Sequence, residues 1–349
     1  MSLRRPSGLA PDRAEVITCS VALTGFCAAL LSLPLAPLKN VAFLIITRKK
    51  FMKHIGFIGA SGLMGHGIAK NLLAKGFQVS LTAHSRQAPL QDLLAAGAQL
   101  VDHHAALCVC DAVIICVTGS PQVEAALEGP QGLLSQARAG MLVVDASTSE
   151  PDSTRRLAAR CQAVGMTLVD APLARTPVEA EAGKLNTMVG ASKEVFAQLE
   201  PVFKAYCENV FHVGEMGAGH VIKLLNNFLG QAITTAAAEA FAVGAKAGID
   251  VNQLVRVVSA GAVNSGLFQA MAKTLDGDYT GLKFELNNAA KDLRYYVHLT
   301  ESVKAPSLVG TSVHQSLVTA CALGYGAELV PSLVKAQAQI NQVKIGQGQ

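Results

Sequence analysis

Two kinds of hydrophobic periodicity follow the first 51 residues of the chain. Up to about residue 216, short apolar runs alternate with helical stretches, which is typical of a parallel sheet with helices on its faces. The predicted strands cover residues 54–58, 76–82, 112–117, 141–144 and 166–169. From residue 217, apolar positions recur at helical spacing, first in one helix that continues to about Ala247. The pattern predicts an α/β Rossmann-type domain at 52–216, then a long interdomain helix and an all-α domain at 217–349.

The predicted helices of the C-terminal half have a high alanine content, which allows close helix packing. They cover residues 231–246, 251–260, 266–274, 285–303, 307–322 and 330–343. The small residues along 236–245 also suit contact with another subunit. We therefore expect a homodimer or homotetramer.

Residues 1–51 have a different pattern from the remainder. No charged side chain occurs from Val16 to Leu38, and basic residues flank this run, so by length it could be a signal sequence or a membrane span. Pro34 and Pro37 would break a helix near its end. Translation starting at Met52, directly before the first strand, explains the extension more simply, and we favour that interpretation.

Composition and charge argue against some classes of function, but they do not identify the function. A net charge of +4, with no Lys/Arg block longer than residues 48–50, does not favour nucleic acid as a partner. The eight cysteines contain no CxxC pair, and no His/Asp/Glu group has the spacing of metal ligands. We expect reduced thiols, no metal, no membrane association and a cytoplasmic protein.

A glycine turn follows the first strand and begins a helix that runs to Lys75. Its spacing is GxxGxxG, one residue longer between the first two glycines than the usual dinucleotide fingerprint. Glycines let the backbone approach a pyrophosphate, and the helix start supplies N–H donors and positive potential. The strand–turn–helix–strand context therefore predicts a dinucleotide cofactor. The predicted contacts are Gly59, Ser61, Gly62, Leu63, Met64 and Gly65.

The end of the second strand indicates which cofactor is used. An acidic residue there would hold the ribose 2′-hydroxyl of NAD, but the sequence has His84, Ser85 and Arg86. A guanidinium matches the geometry of a 2′-phosphate, so these residues favour NADP over NAD. They could also be ordinary polar loop residues.

Small polar residues follow two further strands. Thr118 ends one strand, and Ser147 and Thr148 follow another. Ligands of open parallel sheets bind outside the carboxyl ends of the strands, so these residues should line the nicotinamide. Helix capping ahead of Pro151 is the alternative role for Ser147 and Thr148.

Lys223 lies in the first turns of the long helix. Burial and the positive end of the helix dipole both lower the pKa of an ammonium at this place. Asn226 and Asn227 follow at i+3 and i+4, on the same face. The three side chains together can donate a proton and hold a polar ligand beside it.

Taken in order, these pieces resemble the β-hydroxyacid dehydrogenase family, which includes 3-hydroxyisobutyrate and tartronate-semialdehyde enzymes. The resemblance extends from about Met52 to the C-terminus. The matching blocks are 59–65, 145–151, 170–172, 217–227 and the pair Lys291-Asp292. The resemblance implies that Lys223 is the catalytic acid/base, that Asn227 orients the substrate, and that Ser147 and Lys291 face the nicotinamide and substrate.

One loop departs from the family pattern. Where relatives commonly have Ser-Gly-Gly after the Asp-Ala-Pro motif, this chain has Ala174, Arg175 and Thr176. Arg175 offers a forked donor for a carboxylate or sulfonate, with Thr176 and Asn226 beside it. This version resembles the sulfolactaldehyde reductase branch, although a surface salt bridge would also explain Arg175. Carboxylate substrates remain open: 3-hydroxyisobutyrate, tartronate semialdehyde or succinic semialdehyde.

Two other interpretations can be compared with this one. Imine reductases share the fold but usually replace the catalytic lysine, so Lys223 argues against them. A catalytically silent nucleotide-binding relative would have no need of Lys223 and Asn227. We therefore predict an NAD(P)-dependent oxidoreductase that acts on a small acidic aldehyde and its hydroxy acid.

Overall fold

The structure is a computed structural model that describes residues 52–83 and 88–346. Within those ranges, no helix combines the length and the apolar character needed to cross a bilayer. The predictions for residues 1–51, both the alternative start and the signal or membrane segment, lie outside the described residues.

Nine strands of the described chain form one sheet, in the order β3-β2-β1-β4-β5-β6-β8-β7, with β9 beside β8. The strands are β1 (His54–Ile58), β2 (Gln78–Thr82), β3 (Gln99–Val101), β4 (Ala112–Ile115), β5 (Leu142–Asp145), β6 (Thr167–Asp170), β7 (Leu173–Ala174), β8 (Leu185–Gly190) and β9 (Cys207–Gly214). From β3 to β6 every neighbouring pair is parallel, which confirms the predicted Rossmann-type sheet.

Four strands were absent from the sequence prediction: β3, β7, β8 and β9. Three of them extend the sheet beyond β6, where β8 is antiparallel to both β6 and β7 and parallel to β9. The sheet is therefore mixed at this edge. The extension matters for the site because the loop with Arg175 lies between β7 and β8.

The helices of the described chain account for most of its second half. They are α1 (Leu63–Ala74), α2 (Gln91–Ala95), α3 (Ser120–Glu128), α4 (Pro151–Ala163), α5 (Pro177–Glu181), α6 (Lys193–Phe203), α7 (Ala218–Lys246), α8 (Val251–Ser259), α9 (Gly266–Ala272), α10 (Leu286–Ser302), α11 (Leu308–Ala320) and α12 (Leu333–Asn341). The 29-residue α7 confirms the predicted long helix. Helices α8 to α12 lie at the predicted places, and α9 and α12 are shortened because 3-10 turns occupy the adjoining residues.

The hydrophobic core has two parts. In the N-terminal half, alternate strand residues pack on opposite faces of the sheet, with Phe57 and Val144 on one side and Ile58 and Val143 on the other. Both faces are covered by helices, so the central strands are apolar along their whole length. The second part is the helical core, which includes Leu224, Phe241, Leu286, Leu293 and Leu317. Helix α7 contributes to this helical core along most of its length.

Candidate active site

The glycine turn between β1 and α1 has the geometry predicted for a dinucleotide site. Gly59 has φ +97°, and a Cβ there would lie 2.0 Å from the carbonyl oxygen of Cys116. A Cβ on Gly65 would lie 2.2 Å from the carbonyl oxygen of Gly59. Only glycine fits these two positions, because any side chain would collide with backbone. Leu63, the first residue of α1, is 78% exposed beside this turn.

Of the other predicted cofactor residues, the structure describes two loop threonines but not the residues that follow β2. Thr118 is exposed in the loop after β4, and Thr148 is partly exposed in the loop after β5. Both loops lie at the carboxyl edge of the parallel strands, as predicted. His84, Ser85 and Arg86 lie outside the described residues, so the basis for choosing NADP stays a prediction.

A serine hydroxyl connects the two loops at this edge. Ser147 is buried, and its Oγ accepts a hydrogen bond of 3.0 Å from the backbone N–H of Val117. Its own N–H donates to Oδ1 of Asp145 at 2.9 Å, and Ser149 donates to Oδ2 at 2.7 Å. As an acceptor from Val117, the Ser147 hydroxyl can still donate its hydrogen to a ligand. Asp145 thus fixes the loop that presents Ser147.

Lys223 lies in the second turn of α7 and is partly buried. Burial lowers the pKa of its ammonium below the ordinary value, Lys291 lowers it further, and the Asp292 carboxylate opposes both effects. The direction agrees with the sequence prediction. A lysine whose pKa is lowered in this way gives up its proton more readily than an exposed lysine, which suits an acid/base group.

Asp292 on α10 is the acidic centre of the site, and the sequence prediction missed it as a site residue. It is 3% exposed, its Oδ2 accepts a 2.6 Å hydrogen bond from Asn227, and its Oδ1 pairs with Lys291 at 2.7 Å. A signal was present in the sequence, because the buried stripe of α10 that contains Ala289 and Leu293 also contains Asp292. An acid in an apolar stripe requires buried partners, and here they are two predicted site residues.

Helix α10 also approaches the loop after β4. A Cβ on Gly119 would lie 2.6 Å from the Tyr295 hydroxyl and 3.4 Å from the Lys291 side chain. The Lys291 ammonium lies 4.9 Å from the centre of the Tyr295 ring. The Lys291 side chain therefore lies between α10 and the loop after β4, and its contact with a cofactor stays a prediction.

The loop between β7 and α5 is held in an unusual conformation. Arg175 has φ +82°, a left-handed conformation that non-glycine residues rarely adopt. Its guanidinium pairs with Glu208 at 2.5 Å and donates to the carbonyl of Lys184 at 2.6 Å. Thr176 caps α5 and donates its hydroxyl hydrogen to Glu179. Both predicted substrate-binding side chains thus have partners within the protein.

Arg175 and both asparagines line one cavity of about 440 Å³. The other residues that line it are Ala174, Leu229, Gly230, Gln231, Ile233, Thr234, Leu267, Leu282, Phe284 and Val330. The volume is suitable for a small ligand. A separate cavity of about 650 Å³ lies near Tyr279, Lys335 and Lys344 and has none of the predicted residues in its lining.

The structure therefore brings together residues that are far apart in the sequence. Lys223, Asn227, Lys291 and Asp292 are coupled by hydrogen bonds or charge across α7 and α10. Such a group can hold a polar ligand and exchange a proton with it. Within the described ranges, no group of His, Cys, Asp or Glu could hold a metal ion.

Two family models match most of the chain. Residues 54–214 match the NAD binding domain of 6-phosphogluconate dehydrogenase. Residues 217–336 match the NAD-binding domain of NADP-dependent 3-hydroxyisobutyrate dehydrogenase. The boundary between the models falls at the glycine turn before α7.

Characterised relatives resemble the chain over nearly their whole length. The 2-(hydroxymethyl)glutarate dehydrogenase of Eubacterium barkeri is 30% identical over 298 residues, which are 84% of this chain and 98% of that enzyme. The L-threonate dehydrogenase of Cupriavidus necator is 32% identical over 286 residues, 81% of this chain and 95% of that enzyme. The solved structure of 3-hydroxyisobutyrate dehydrogenase from Salmonella typhimurium superposes with a TM-score of 0.70 at 29% identity, covering 81% and 99% of the two chains. The chain belongs to the β-hydroxyacid dehydrogenase family and is an NAD(P)-dependent hydroxyacid dehydrogenase.

Proposed function

We propose that the enzyme interconverts a small acidic aldehyde and its hydroxy acid, with Lys223 as the general acid/base. The observation that supports this most directly is the buried group around Lys223. The pKa of Lys223 is lowered, and Asn227, one helical turn further along α7, both donates to Asp292 and lines the cavity of about 440 Å³. The bound nicotinamide would supply or receive the hydride at the carbonyl carbon.

The residues of the chain supply orientation and proton transfer. In reduction, Lys223 donates a proton to the developing alkoxide, and Asn227 fixes the oxygen as it is reduced. Asp292 holds the Asn227 amide at 2.6 Å, so that this donor is fixed before the substrate arrives. Ser147 donates its free hydroxyl hydrogen to the substrate, and Lys291 faces the cofactor.

We propose that Arg175 anchors the acidic end of the substrate, with Thr176 and Asn226 beside it. Arg175 and Asn226 line the same cavity. An incoming anion would replace Glu208 as the partner of the guanidinium, which its 30% exposed side chain permits. The Ala174-Arg175-Thr176 loop resembles the sulfolactaldehyde reductase branch, and on this basis a sulfolactaldehyde-type substrate is the proposed one.

A carboxylate is the second candidate substrate group. The named relatives act on carboxylates, namely 2-(hydroxymethyl)glutarate and L-threonate. A guanidinium pairs with a carboxylate as readily as with a sulfonate. The alternatives to sulfolactaldehyde are therefore 3-hydroxyisobutyrate, tartronate semialdehyde and succinic semialdehyde, together with the substrates of these relatives.

Steady-state turnover of the purified full-length chain tests the proposal. Sulfolactaldehyde and the carboxylate semialdehydes are each assayed with NADH and with NADPH, for which we propose a preference for NADPH. Lys223→Met should lower kcat by about 10²–10⁴ and keep cofactor affinity. Arg175→Ala should raise KM for the preferred acid by about 10–100-fold, as loss of a charged hydrogen bond predicts. Turnover of Lys223→Met within tenfold of wild type would refute the assignment.

We further propose a homodimer or homotetramer formed through α7. Four apolar side chains of this helix are exposed: Leu225 at 43%, Leu229 at 61%, Ile233 at 39% and Val243 at 57%. A second copy of the chain would bury them. Light scattering should report a smaller particle for Val243→Glu, which lies outside the cavity lining, whereas Val164→Glu, also at an exposed apolar position, should behave as wild type. A monomeric wild type would refute this proposal.

We also place the enzyme in the cytoplasm, where reduced nicotinamide cofactor is available. Cell fractionation with an antibody against the C-terminal half tests this. Activity confined to a membrane fraction would contradict it.

A further inference from the structure

A buried histidine lies where the carboxyl edge of the sheet meets α7. His220 is 0% exposed and lies three residues before Lys223 on the same helix. Its ring touches residues that come from three other elements of the fold. Since the side chain reaches neither solvent nor the cavity lining, it acts only through these neighbours.

One nitrogen of the His220 ring makes a hydrogen bond and the other does not. Nδ1 shares a hydrogen bond of 2.8 Å with Thr154 of α4. Nε2 has no hydrogen-bond partner in the described part of the chain, and it lies 3.6 Å from Oδ2 of Asp145 at the end of β5. Nδ1 is also 4.0 Å from Oδ2 of Asp170 at the end of β6. The imidazole thus stands between two buried carboxylates.

Each carboxylate controls one part of the site. Asp170 accepts from the backbone N–H of Gly217 at 2.6 Å and of His220 at 2.8 Å, so it caps the helix that carries Lys223. Asp145 holds the loop that presents Ser147. His220 is the side chain that contacts both.

We propose that His220 is a positioning residue that fixes the Ser147 loop relative to Lys223. This inference rests on the proposed function, in which Lys223 and Ser147 act on one substrate. Hydride and proton transfer require reacting atoms about 3–3.5 Å apart, and a displacement of 1 Å can cost about 10² in rate. Asp145 and Asp170 are partners in the β5–β6 ladder, which fixes their backbones. The ring between them holds their two side chains, which in turn hold the Ser147 loop and the first turn of α7.

Packing alone does not explain this choice of side chain. A buried polar group without a hydrogen-bond partner costs free energy, and a leucine would fill similar space without that cost. The imidazole thus has a polar role towards the two carboxylates. The variants that separate the two explanations are His220→Leu, which keeps the volume, and His220→Gln, which keeps a donor.

The experiment measures single-turnover hydride transfer, kcat, KM and melting temperature for the full-length enzyme. His220→Leu should lower the hydride-transfer rate and kcat by about 10–100-fold, with KM for substrate and cofactor within about threefold of wild type. His220→Gln should recover most of the rate. Thr235→Val is the control, because Thr235 is another buried residue of α7 whose hydroxyl has no partner in the described chain. It should leave all four quantities near wild type.

Two results would overturn the inference. One is a His220→Leu enzyme that melts earlier but transfers hydride at the wild-type rate, which is the result of a purely structural role. The other is a His220→Gln enzyme as slow as His220→Leu. An inactive Lys223→Met with a fully active His220→Leu refutes this inference alone, whereas an active Lys223→Met refutes the proposed function.

Discussion

Replacing Asp292 by asparagine removes one charge from the site and changes almost no volume. The carboxylate accepts from Asn227, pairs with Lys291 and raises the pKa of Lys223 against the effect of burial. An amide can still accept from Asn227. The amide cannot neutralise the charge of Lys291. Its NH2 group would face either the Lys291 ammonium or the Asn227 amide, both of which are donors.

The expected loss follows from these contacts. A hydrogen bond to a charged group contributes about 1.5–3 kcal/mol and a neutral one about 0.5–1.5, so the 2.6 Å bond from Asn227 weakens by about 1 kcal/mol. Asp292 is 3% exposed, and breaking a buried ion pair by removing one partner costs about 3–5 kcal/mol, shared between folding and catalysis. If about 1.4–2.8 kcal/mol of the total is lost from the transition state, kcat falls about 10–100-fold.

The pH dependence has a definite sign. In the proposed mechanism reduction requires the protonated Lys223, so the reductive rate should fall as the pH rises through the pKa of that lysine. Asp292 raises this pKa, and its removal lowers it further. The reductive rate of Asp292→Asn should therefore start to fall at a lower pH than that of wild type, and the oxidative rate should reach its plateau at a lower pH.

The assay is a pH–rate profile in both directions at saturating substrate and cofactor, with melting curves at each pH. Asp152→Asn is the matched control, because the Asp152 side chain is 62% exposed and lies on α4. An Asp292→Asn enzyme with wild-type kcat and an unshifted reductive limb would refute the role given to this carboxylate.

Three further outcomes are expected. Gly59→Ala should abolish cofactor binding in a fluorescence titration because its Cβ would meet backbone at 2.0 Å, whereas Gly97→Ala, which is also at positive φ but has no atom within 4 Å, should bind normally. Gly119→Ala should raise the KM for cofactor in steady-state assays, since its Cβ would lie 2.6 Å from a tyrosine hydroxyl of α10. Glu208→Gln should lower the KM for the acidic substrate by about two- to fivefold, because it releases Arg175 from a partly exposed pair of modest strength; an unchanged KM would contradict this competition.

Local pattern was sufficient to predict much of the fold. The long helix was predicted because its apolar repeat continues from Ala218 to Lys246, and the strands β1, β4 and β5 because each contains a short buried apolar run. The run at Leu185–Gly190 includes Asn186 and Thr187 and shows no alternation, so β8 was missed. Without β8 and β9, the pairing of Arg175 with a residue of β9 could not be predicted.

The candidate site also contains residues that local sequence predicts and residues that it does not. Lys223, Asn226 and Asn227 are neighbours on one helix face, which spacing alone predicts. Asp292 lies 65 residues from Asn227, and Thr154 lies 66 residues before His220. Only tertiary packing brings such pairs together, and no local pattern encodes it.

The attachment of α7 to the sheet has a mechanical consequence. The helix is anchored at its first turn by Asp170, and with 29 residues it is about 43 Å long. Lys223 lies about 9 Å from that pivot, so a tilt of about 5° would move it by less than about 1 Å while the far end swings by about 4 Å. A tilt about the first turn would therefore displace the far end of the helix about five times as far as Lys223. A displacement imposed through the helices that pack on its far end would reach Lys223 reduced by that same factor.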